Sequence, residues 1–130
     1  MSNVGHQAMT KLVFFFCLII VLSMSQAIAA SCVLPVPDGG EIDSSAPSVQ
    51  GVIFKVTGHE LTLKEHKSNP IKLAKQTELF TVYGGSVEPK ELKKGQHIFV
   101  WYVGCKKVHG VIPVAAIIQL CSTLAAPCLK

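Results

Sequence analysis

Cysteine and histidine are the residues of this chain best suited to form bonds or hold metals, and it has five of each. Beyond residue 29 these are Cys32, Cys105, Cys121 and Cys128 with His59, His66, His97 and His109. A zinc site built on cysteine needs a close pair such as CxxC. The spacings of 73, 16 and 7 residues supply none, so two disulfides are expected. His59 and His66 fall at opposite ends of one extended run. His97 and His109 fall on neighbouring runs, out of register with each other. No pair has the i, i+2 or directly opposed placement that chelation requires, so solvated or core-capping histidines and no bound metal or cofactor are expected.

Catalytic patterns fare no better. No serine sits in a G-x-S-x-G elbow, and the acids are scattered singly. Gly39-Gly40 and Gly84-Gly85 lack the Lys-Ser/Thr that follows a phosphate-cradling loop. A binding protein is expected, not an enzyme.

Candidate binding residues come instead from HIFVWYVGC, His97 to Cys105, which is apolar on both faces of an extended strand. Side chains alternate along a strand. Ile98, Val100 and Tyr102 therefore share one face, and Phe99, Trp101 and Val103 the other. Leaving two aromatic rings in water would forgo roughly 5 kcal/mol in a marginal domain. Either another part of the chain covers the second row, or a partner binds it. Lys64, His66 and Lys72, outward on the second and third strands, complete the candidate binding set.

Several features bound the setting. Residues 1–29 read as a signal peptide: Lys11, an apolar run from Leu12 to Leu22, and an A-x-A site at Ala27-Ile28-Ala29. The run is shorter than the ~20 residues a membrane span needs. Met9 offers a more compact alternative start. Secretion or a periplasmic location is expected, with no membrane span after cleavage. Ala29-Ala30-Ser31-Cys32 loosely resembles a lipoprotein processing site, the minor alternative. Against it, alanine stands where such sites usually carry leucine, and an acylated Cys32 would leave three cysteines. The remaining charge is positive, and every basic residue is lysine. Without arginine the chain lacks the planar fork that reads bases, which tells against sequence-specific nucleic-acid recognition.

These residues need a scaffold. Residues 30–48, rich in Pro, Gly, Ser and Asp, read as an extended leader. Val49–Val56 and Glu60–Lys67 form a hairpin about Thr57-Gly58-His59. Ile71–Phe80 is a third strand. Ser86–Gln96 carries helix signals, with Ser86 as N-cap and Gly95 as stop. His97–Gly104 and Val108–Leu120 complete five strands, Pro113 forcing a bulge or an edge position on the last. Residues 122–130 are an irregular tail. The fold class expected is all-β: a small, disulfide-stabilised, five-stranded OB-like β-barrel over residues 49–121, with one short helix between the third and fourth strands.

The runs GVIFKVTGHELTL, TELF, ELKKGQHIFV and AAIIQL resemble the small exported OB-like domains of bacteria, including the bacterial OB-fold family. The matching positions are Gly51, Gly58, Leu61, Leu63, Thr77, Leu92, Gly95, Ile98, Val100, Ala115, Ile118 and Leu120. The resemblance implies the barrel, export and a ligand-binding role, and it brings no catalytic residue. It also places Ile98 and Val100 inside, turning Phe99, Trp101 and Val103 outward.

Cys105 closes the fourth strand. Its pairing with Cys121, across a straight fifth strand of up to ~40 Å, is disfavoured. Cys32 or Cys128 is then its partner, either of which ties an apolar tail beside the fourth strand, and Cys32–Cys105 with Cys121–Cys128 is the preferred connectivity. The expected function is non-catalytic binding of a small ligand or protein in the periplasm or cell envelope. A structural or envelope-stress role without a small ligand is the alternative.

Overall fold

A computed structural model describes residues 31–37 and 43–121. The signal-peptide reading of residues 1–29, the tail, and Cys128 of the expected Cys121–Cys128 bridge lie outside the described residues.

Five strands form: β1 (Val49–Val56), β2 (Glu60–Leu63), β3 (Ile71–Thr81), β4 (His97–Tyr102) and β5 (Val114–Leu120). They close into a barrel in the order β1-β2-β3-β5-β4, with β4 returning to β1 and β3 parallel to β5. This is the OB-like arrangement expected, and closure leaves no free sheet edge among the five strands.

The interior is filled by the alternating apolar positions. Ile53, Leu61, Leu63, Ile71, Ile98, Val100, Tyr102, Ile118 and Leu120 are all buried in one cluster. Ile98, Val100 and Tyr102 thus share the inward face, the one on which the resemblance places Ile98 and Val100.

Three boundaries depart from the sequence reading. Ser86–Gln96 holds no α-helix, only a single 3-10 turn at Pro89–Glu91. There the Glu88 and Glu91 side chains cap each other's backbone, so Glu88, not Ser86, begins the turn. The segment is too short to repay helix nucleation; buried Leu92 anchors it in the core, with Val87 packed partly against the same cluster. β2 stops at Leu63, and Lys64–His66 forms another 3-10 turn. β5 begins only at Val114, after Pro113, so Val103–Pro113 is a long loop and Tyr102 pairs with Ala115.

A double irregularity bends β5. Trp101 pairs with Ile117 and Tyr102 with Ala115, leaving Ala116 unpaired against β4. On the other side, the β3 register jumps between Leu73 and Glu78. Thr77 clamps this break: its Oγ1 donates to the Ala115 carbonyl (2.7 Å) and accepts from the Ala74 N–H (2.9 Å). Thr77→Val keeps the shape but orphans both backbone groups. Its expected cost is about 1–3 kcal/mol, measured as a drop in urea midpoint. An unchanged midpoint would show that water replaces the hydroxyl without loss.

Candidate functional site: the loop end of the barrel

β4 leaves the barrel abruptly. Gly104 (φ 73°) and Cys105 (φ 59°) both adopt left-handed backbone, which a non-glycine residue such as Cys105 holds only when its surroundings enforce it. Two contacts do so. Ser48 Oγ accepts the Tyr102 N–H (3.0 Å) and donates to the Cys105 carbonyl (3.1 Å). Cys105 is also bonded to Cys32, with their Cα atoms 5.5 Å apart.

That bridge answers what covers the outer row of β4. The leader is pinned at Cys32 and folded back on itself, Val33 and Ser45 exchanging hydrogen bonds through N–H, carbonyl and hydroxyl. Leu34 then lies on a second small core of Phe80, Trp101 and Ile117. The Trp101 Nε1–H donates to the Ser45 carbonyl at 2.7 Å, and Phe99 meets the Trp101 ring edge-on at 6.0 Å. Trp101 is only 4% exposed. Of the two alternatives, coverage by the chain itself is what the structure shows. A hollow of about 290 Å³ remains beside the strap, walled by Pro35, Pro47, Phe99 and Trp101.

Val103 separates from this row. It lies in the 3-10 turn Val103–Cys105 and is exposed. Six large apolar side chains are exposed among the described residues, and four share the β4–β5 loop: Val103, Val108, Val111 and Ile112. The tip is a closed turn in which Val111 N–H donates to the Val108 carbonyl (3.2 Å), with Gly110 at φ 77°.

The loop lies against the β2–β3 connection. Two hollows of about 240 and 220 Å³ share Asn69 and Lys107 as walls. The first also takes in Ser48, His66 and Tyr102, the second Val111, Ile112 and Pro113. No carboxylate lines either. Burial raises the Tyr102 pKa above the phenol's usual value, keeping the hydroxyl neutral and a donor.

The expected binding residues thus scatter. His66 reaches a hollow. Lys64 is exposed on the same turn, and Lys72 is exposed on β3 beside Val114. Phe99 and Trp101 meet under the strap. The sequence reading missed Asn69, Lys107, Val108, Val111 and Ile112 as site residues. Their signal was present: a proline three residues beyond a glycine in VHGVIP stops a strand from starting there. Apolar residues in a segment unable to join the sheet are candidates for exposure.

His59, His66 and His109 lie exposed on three separate connections, and His97 is half-buried at the opposite end of β4. Among the described residues, no three His, Cys, Asp or Glu side chains gather as a metal site would require. No described helix is long and apolar enough to cross a membrane. Compared with protein-family models, curated proteins and solved structures, the chain matches none.

Proposed function

We propose that this chain is an exported, non-catalytic binding module of the periplasm or cell envelope, related to the small OB-like domains it resembles, and that it binds through the loop end of its barrel. The observation that carries this reading is the gathering of exposed Val103, Val108, Val111 and Ile112 beside hollows lined by His66, Asn69 and Lys107. Isolated exposed apolar residues are ordinary, whereas a cluster of them beside convergent polar groups is the usual mark of a contact surface.

Other features support export. A disulfide bridging leader and barrel suits an oxidising compartment. It also tells against lipidation, because the Cys32 sulfur bonded to Cys105 has no valence left for a thioether. A covered Trp101 moves the binding role away from the aromatic row.

A fragment screen followed by 15N–1H correlation spectra of the oxidised protein tests the reading. Shift changes should concentrate on residues 64–70 and 103–113. Hits confined to Phe99 and the strap would move the site. A screen with no hits would favour the structural role.

A further inference from the structure

The charge on the loop end is one-sided. Residues 64–70 and 103–113 carry Lys64, Lys67, Lys106 and Lys107 against a single acid, Glu65. The Glu65 carboxylate is engaged away from the loop tip, accepting the Val52 N–H at 3.3 Å. Lys67 leans over the Phe54 ring of β1, 4.7 Å from its centre. Lys106 and Lys107 flank the aliphatic tip directly and are exposed.

Resting on the reading of this end as the contact surface, we propose that it docks the protein onto an anionic lipid bilayer. Val108, Val111 and Ile112, with Val103 at the loop base, enter the interfacial region, and the lysines meet the lipid phosphates.

Several observations favour this occupant. Exposed aliphatic side chains flanked by the flexible ammonium groups of Lys106 and Lys107 suit a diffuse layer of negative charge above hydrocarbon. Lysine offers point charges to such a layer, not the bidentate grip that a fixed carboxylate or phosphate on a folded partner rewards. An extended peptide finds no free edge on the closed barrel. Each hollow alone is smaller than the ~300–1,000 Å³ usual for an enclosed small-molecule site. The loop is also held ready: its base is fixed by Ser48 and the Cys32–Cys105 bridge, and its tip by the Val108–Val111 turn. Little ordering remains to oppose insertion.

The test is co-sedimentation of the oxidised protein with vesicles. One set is phosphatidylcholine alone, and the other is phosphatidylcholine mixed with phosphatidylglycerol. Binding is expected on the anionic vesicles, weakening as salt is raised. Val108→Asp with Ile112→Asp, and separately Lys106→Glu with Lys107→Glu, should each lower partitioning at least about tenfold. Tyr83→Asp, at an exposed apolar residue outside these loops, should leave it unchanged. Retained blue-shifted Trp101 emission certifies that each variant is folded.

Equal binding to both vesicle types, no binding, or loop variants that bind like the parent would overturn the proposal. The fragment screen separates the two levels. Failed vesicle binding with soluble fragments seated on residues 64–70 and 103–113 defeats the lipid assignment and leaves the site standing. Failure of both removes the site as well. Loop-dependent retention by a soluble acidic protein but not by vesicles would reassign the surface to a protein partner.

Discussion

Replacing Cys32 and Cys105 together by alanine is expected to lower the unfolding free energy by about 4 kcal/mol. The bridge joins residues 73 apart in sequence, and cross-linking a loop of that size removes roughly this much freedom from the unfolded chain in the loop-entropy account. A small barrel has little stability in reserve, so the loss is a large part of the whole. The variant also frees the leader from the barrel and relaxes the enforcement of left-handed Cys105. Urea unfolding followed by Trp101 fluorescence measures the change. A loss below about 1 kcal/mol would show that the leader holds its place by packing alone.

Trp101→Ala should cost a similar amount, about 3–5 kcal/mol, for a different reason. The ring is 4% exposed and fills the second core with Phe80, Ile117, Leu34 and Phe99. Removing it opens a cavity under the strap and orphans the Ser45 carbonyl. Trp101→Phe separates the contributions: the apolar contact largely remains, the Nε1–H bond to Ser45 goes, and about 1–2 kcal/mol should be lost. The parent protein should emit at short wavelength and resist acrylamide, and Cys32→Ala with Cys105→Ala should make the ring more accessible. A red-shifted, readily quenched ring in the oxidised parent would contradict the roofed geometry. Both changes act on the same strap, so combining them should cost less than the sum.

The two effects show where sequence reasoning reaches and where it stops. Period-two alternation puts Ile98, Val100 and Tyr102 on one face and Phe99, Trp101 and Val103 on the other, the resemblance turns the first row inward, and five such extended runs supply the strand count. Alternation is a local property of extended backbone, legible without knowledge of any neighbour. For Cys105, strand length disfavours Cys121 but leaves Cys32 and Cys128 open, and the fold pairs it with Cys32. The helix in residues 86–96 was misjudged because capping residues were present but the length to sustain a helix was not. β5 starts late because Pro113, expected to force a bulge or an edge position within the strand, instead closes a loop that includes Gly110.

Coverage belongs to another class of property. Whether Trp101 meets water depends on Ser45, 56 residues away, and on a leader whose own composition suggests no structure. The loop end is likewise assembled from residues 48, 66–69 and 102–113, distant in the chain. Strand count, the two rows of β4 and the available chemistry are legible in the chain alone, since these follow from local periodicity and residue type. Which apolar surface is roofed and which is open emerges only from the folded chain. Exposure is set by what packs from far along the chain, and no local pattern encodes that.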